Sequence, residues 1–231
     1  MRNLRWLAIA AAVTAICFVS CSPASADATG SLNVANCSGG GVSFTATTIT
    51  WLPLGTLPGT GCINTGAGTN VTYSGGTLGP GDTGNIKNLT AGGGAVDQFM
   101  TFQGTSLDFV LTFLGPGSAN TNCTALLLGE SCSAFAGSPF LLTNLGSSTI
   151  VSLSAGGTVE DVGSSKWSGA FSTQVNITAA QIQSTILSGG SLTSTQSGQF
   201  VVQGVPEPAS LLLLTVGLGS IAGVIRRKRL Q

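Results

Sequence analysis

Apolar and polar residues alternate with a period of two along much of this chain. Leu107, Phe109, Leu111 and Phe113 fall on one face of an extended segment, with Asp108, Val110 and Thr112 on the other. The same pattern runs through Phe171, Thr173, Val175 and Ile177, and through Val42, Phe44, Ala46 and Thr48. A period of two is the signature of half-buried strands. Further strands are predicted at 32–36, 70–74, 85–89, 98–103, 140–143, 149–154, 158–162 and 199–203. Turn chemistry separates them at Ser38-Gly39-Gly40-Gly41, Gly79-Pro80-Gly81-Asp82, Gly115-Pro116-Gly117 and Gly189-Gly190. One segment, 178–187, reads as a short helix, with Thr178 as its cap and Ile182, Ile186 and Leu187 at helical spacing. The expected class is therefore all-β, an antiparallel β-sandwich or jelly roll with one short helix and no internal repeat.

The two ends break this pattern. Residues 1–26 place Arg2 and Arg5 before an apolar stretch, Leu7 to Val19, and end on Ala24-Ser25-Ala26. That order is a secretory signal peptide, with a second cut offered two residues on at Ala26-Asp27-Ala28. Phe18-Val19-Ser20-Cys21 loosely resembles a lipoprotein box, in which Cys21 carries lipid; the Phe and the Ala-x-Ala site favour ordinary cleavage. At the other end, Ala209 to Ile225 holds no charge, and as a helix it reaches about 25 Å, the short limit for a membrane span. Arg226, Arg227, Lys228 and Arg229 follow at once and place the C-terminus on the cytoplasmic side. Gly219 and Gly223 form a G-x-x-x-G pair, a weak signal for helix pairing. The predicted organisation is a signal peptide at 1–26, an exported β-rich domain at 27–204 and a C-terminal segment at 205–231.

Charge changes the picture of the body. The chain is formally neutral, but six of its eight cations sit in the end segments. Between Asp27 and Val205, Lys87 and Lys166 face seven carboxylates, a net of −5. A surface of that sign does not neutralise phosphates, so a nucleic-acid partner is excluded. With 42% hydrophobic and 7% charged residues, the body has the composition of a folded chain despite its 34 glycines.

Val205-Pro206-Glu207-Pro208-Ala209-Ser210, the apolar run and the terminal basic cluster together resemble the PEP-CTERM sorting signal of Gram-negative bacteria. The resemblance covers the last 27 residues. It implies export through the Sec translocon, cleavage by signal peptidase, anchoring in the inner membrane through 209–225, and processing near Pro206-Glu207-Pro208 by an exosortase-like enzyme. It also implies a final place at the cell surface or in an extracellular matrix, associated with exopolysaccharide or biofilm. Pro206, Glu207 and Pro208 are then recognition residues. Two prolines fix φ, and Pro208 also pushes Glu207 towards extended geometry, presenting one carboxylate on a stiff handle.

Cysteine usage agrees with an oxidising compartment. Cys17 and Cys21 leave with the signal peptide, and four remain: Cys37, Cys62, Cys123 and Cys132. Three pairings are open; local loops rich in Gly, Thr and Ser favour Cys37–Cys62 and Cys123–Cys132. A four-Cys zinc site lacks close C-x-x-C spacing, so no metal is expected.

Catalytic chemistry finds little support. The chain has no His, which removes the usual general base and the Ser-His and Cys-His pairs. Ser164-Ser165-Lys166 does not have Ser-x-x-Lys spacing. A carboxylate pair drawn from Asp97, Asp108, Glu130, Glu160 and Asp161 is the remaining hydrolytic route, though solvated charge is the ordinary role of such residues. Asp82-Thr83-Gly84-Asn85 offers oxygens to calcium but lacks the later bidentate Glu of an EF-hand. Trp51, Trp167 and Tyr73 are candidates for stacking on sugar rings, with core packing as the alternative. Five Asn-x-Ser/Thr sequons begin at Asn36, Asn70, Asn88, Asn122 and Asn176, incidental in a Thr-rich bacterial chain. The sequence thus predicts a non-enzymatic surface protein without a cofactor. A carbohydrate-binding module is the alternative, and a secreted carboxylate-dependent hydrolase stands third.

Overall fold

A computed structural model describes residues 27–90, 94–161 and 163–205. Asp27–Val205 forms one compact unit. The signal peptide, Cys21, the membrane segment and the basic cluster lie outside the described residues. Among the described residues no helix is long and apolar enough to cross a membrane.

The first strands are β1 (Thr29–Asn36), β2 (Gly41–Phe44), β3 (Thr48–Leu52), β4 (Thr60–Thr65), β5 (Asn70–Tyr73), β6 (Gly76–Leu78), β7 (Thr83–Lys87) and β8 (Leu89–Thr90). Then come β9 (Val96–Phe102), β10 (Asp108–Leu114), β11 (Ser131–Cys132), β12 (Phe140–Asn144), β13 (Thr149–Glu160) and β14 (Ser164–Val175). The helix α1 (Ala179–Leu187), β15 (Leu192–Ser194) and β16 (Ser197–Gly204) complete the order. The all-β, antiparallel class with one helix holds.

The sandwich does not. Eight strands pair in the order β10-β9-β7-β4-β1-β16-β14-β13, and β13 pairs back to β10, so the sheet closes into a barrel. Closure follows from the length of β13. Its residues 149–153 pair with β12, and its residues 155–160 pair with β10, while β14 runs beside all of it. One twelve-residue strand thereby serves two partners on one side, and the barrel edges disappear. A separate sheet, β15-β2-β3-β8, packs on this body through Trp51 against Phe171 (ring centroids 4.8 Å apart) and Phe44 against Phe140 (5.1 Å).

The barrel is filled rather than hollow. Trp167, buried, stands 5.3 Å from Phe200 and 6.1 Å from both Phe99 and Phe109; Phe171 lies 4.8 Å from Phe200. Aromatic pairs of this kind contribute about 0.5–1.5 kcal/mol each beyond their burial. Glycines make the room. A Cβ on Gly157 would stand 1.9 Å from the Val110 carbonyl oxygen, and one on Gly61 would stand 2.2 Å from the Trp51 Cβ.

Several predicted strands change on folding: 149–154 and 158–162 are one continuous strand, β13, and three others shift or break. A β-bulge between Leu111 and Phe113 shifts the phase of β10 beyond it, so Phe113 is 52% exposed; Val110, on the opposite face from Phe109 and Leu111, is buried as well. The 42–48 segment stops at Phe44, where the Thr45 Oγ1 accepts from the Thr47 and Thr48 amides and turns the chain into β3. The 85–89 segment splits at Asn88 between the barrel and the second sheet. The helix has its predicted cap. Thr178 and Gln181 form a reciprocal capping box, and Ile182 and Ile186 are buried, but Leu187 is exposed.

Candidate functional site

The two cysteine pairs are joined as Cys37–Cys62 and Cys123–Cys132. The first ties the end of β1 to β4, and the Asn36 amide supports it by donating to the Gly41 and Leu52 carbonyls. The second closes the loop before β11. Gln183 of α1 holds that loop, donating through Nε2 to the Thr121 and Ala134 carbonyls (2.6 and 3.0 Å).

Neither tryptophan offers a stacking face. Trp51 and Trp167 are 1% and 2% exposed, and Tyr73 is buried with them. Their indole N–H groups are satisfied internally, Trp51 donating to the Lys87 carbonyl and Trp167 to the Val110 carbonyl, each at 3.0 Å. Trp51 and Trp167 are core residues for different reasons: Trp167 is enclosed by the closed barrel, while Trp51 is buried where the second sheet packs on Phe171.

The carboxylates serve different local ends. Asp161 accepts from the Ser74 amide (2.7 Å) and hydroxyl, tying the β13–β14 turn to the β5–β6 hairpin. Glu130 accepts from the Leu127 amide at 2.8 Å, and Asp82 from the Gly79 amide at 2.9 Å. Asp97 receives Lys87 through its backbone carbonyl. Asp108 and Glu160 face each other in register across β10 and β13. Strand alternation puts both on the wall opposite the inward-facing Phe109 and Val159. The 82–85 oxygens do not converge: Asp82 caps a turn, while the Asn85 Oδ1 accepts from the Thr56 amide at 2.8 Å. Among the described residues no three His, Cys, Asp or Glu side chains group as a metal site.

Two surface grooves are lined without any charged residue. One, about 390 Å³, has Thr45, Thr47, Thr48, Thr90, Pro116 and Pro139 in its walls. The other, about 370 Å³, is lined by Ser172, Thr173, Gln174, Thr195, Gln196 and Ser197. Gln196 is buried with both amide atoms unpartnered among the described residues. The sequence does not single out Gln196, because nothing in the polar stretch Ser194-Thr195-Gln196-Ser197 marks which residue will be enclosed.

The sequence-derived sorting residues follow β16 directly. β16 pairs on one side with β1 and on the other with β14, and its last residue, Gly204, still lies opposite Ser165. Val205 is the last described residue, so Pro206, Glu207, Pro208 and Arg226, Arg227, Lys228, Arg229 are known by sequence alone. No curated protein and no solved structure matches the chain. A family model does match its C-terminal end: residues 204–229 fit the PEP-CTERM protein-sorting motif. The chain carries a PEP-CTERM protein-sorting motif that starts on the final residue of the barrel, and this motif implies export, passage through the membrane and processing by an exosortase-type enzyme.

Proposed function

We propose that this protein is a non-enzymatic component of the cell surface or extracellular matrix, delivered by an exosortase-type system and associated there with exopolysaccharide in a biofilm. The observation that carries the reading is the sorting motif at 204–229, joined without a spacer to a closed, disulfide-tied barrel. The signal peptide at 1–26 exports the body, the apolar segment 209–225 holds it in the inner membrane, and the basic cluster stops transfer.

The body's chemistry supports a scaffold. Its core is aromatic, its two grooves offer hydroxyls and amides, and charge is sparse. Uncharged donors and acceptors suit a neutral polyhydroxylated polymer, to which weak, repeated hydrogen bonds add through multivalency. The Asp108–Glu160 pair lines neither groove, which favours a scaffold over a glycosidase.

Deleting Pro206–Gln231 is the test of anchoring: the body should appear in the periplasm or medium instead of the membrane fraction. A truncated chain that stays membrane-bound refutes the role of the tail. Glu207→Ala in the full chain should block processing and leave the unprocessed form in the membrane. For the matrix role, the purified body should co-sediment with neutral exopolysaccharide; a body that never does so points away from the polymer.

A further inference from the structure

The sorting motif and the barrel share a residue. Gly204 begins the matched motif and also ends β16, paired with Ser165 of β14. Enzymes that read a peptide in extended form take up its main-chain donors and acceptors, as an added strand does. A backbone already held in a sheet ladder does not offer them. Recognition of the complete motif therefore competes with the last rung of the barrel.

The structure shows where that competition resolves. Ser165 is 1% exposed and its Oγ has no partner among the described residues. A buried hydroxyl without a partner is destabilising, and separating the strands at this point lets water reach it. Gly204 brings no side chain to anchor the rung, and a Cβ there would stand only 2.9 Å from the Asp27 Cβ. Two residues earlier the situation reverses. Val202 is 2% exposed and lies opposite both Gly30 and Trp167, and Phe200 behind it packs on Trp167 and Phe171. Opening that starts at Gly204 meets this aromatic core and stops.

We propose that the Gly204–Ser165 rung is a release point: the end of β16 frays to hand the motif to its processing enzyme, and Val202 sets the limit of fraying. The inference rests on the sorting function proposed above. It makes the orphaned Ser165 hydroxyl a positioning feature, acting through the strand end rather than by touching the processed bond.

The test uses the full chain, co-expressed with an exosortase-type enzyme and followed by pulse-chase. Ser165→Ala removes the orphaned hydroxyl, so processing should slow by about threefold or more. Amide exchange at residues 203–204 should slow with it. A Gly-Ser-Gly-Ser insertion between Val205 and Pro206 frees the motif from the rung. It should speed processing and erase the effect of Ser165→Ala. Equal rates for the parent and Ser165→Ala, with the insertion also without effect, overturn the release point and leave sorting intact. Absence of processing in every form, or processing that ignores Glu207→Ala, overturns the sorting function and the inference with it.

Discussion

Closure of the barrel depends on the absence of a side chain at Gly157, and Gly157→Ala tests this directly. Gly157 lies opposite Leu111 on one side and Trp167 on the other. A Cβ there would stand 1.9 Å from the Val110 carbonyl oxygen and 3.0 Å from the Trp167 Nε1. The obstacle is backbone, so a rotamer change does not relieve it, and β10 must move away from β13. Forced overpacking costs about 1–3 kcal/mol. The same shift breaks the 3.0 Å bond from the Trp167 indole to the Val110 carbonyl, leaving a buried N–H unpaired at about 1–3 kcal/mol more. The expected loss is about 2–6 kcal/mol, a large part of the roughly 5–15 kcal/mol that holds a domain together. Urea unfolding of segment 27–205, followed by fluorescence of Trp51 and Trp167, measures it. Gly79→Ala is the control, because no atom lies within 4 Å of a Cβ at that site. A loss below about 1 kcal/mol for Gly157→Ala, or an equal loss for the control, refutes closure at this point.

Three other outcomes are expected. Replacing Cys37 and Cys62 together by Ser opens a 25-residue separation, which loop entropy values at about 3.5 kcal/mol; replacing Cys123 and Cys132, nine apart, should lose about 2.5 kcal/mol in the same unfolding assay. Phe113→Ser should shift stability by less than about 0.5 kcal/mol, whereas Phe109→Ala should lose about 3–5 kcal/mol, and comparable effects would contradict the bulge. Trp167→Ala should lower the unfolding midpoint sharply; a variant with native stability but altered glycan binding would show that the indole is a surface group after all.

The strands that could be read from sequence were those whose pattern is local. Phe171, Thr173 and Val175, with Ser172 and Gln174 between them, announce a half-buried strand through side chains alone. Strand β4 and the first half of β14 carry a weaker signal: Gly61 and Gly169 stand where aromatic partners from other strands fill the space. Missing side chains make weak periodicity. The cap at Thr178 was legible because a threonine directly precedes residues at helical spacing, and the structure adds its reciprocal partner, Gln181. The sorting residues were legible for a related reason, since a recognition tag read in extended form depends on order along the chain.

By itself, the sequence determined the class of the body, its helix, its net acidity and the address at its C-terminus. Those properties rest on residue type and short spacing. Tertiary structure alone decided that the sheet closes, that Phe113 faces solvent while Trp51 and Trp167 do not, and that the sorting motif starts inside a barrel strand. Each depends on pairing between residues far apart in the chain, such as Phe109 with Val159 or Gly204 with Ser165. Which of several strands lies beside another is set by the packing of the whole core, and no local pattern encodes it.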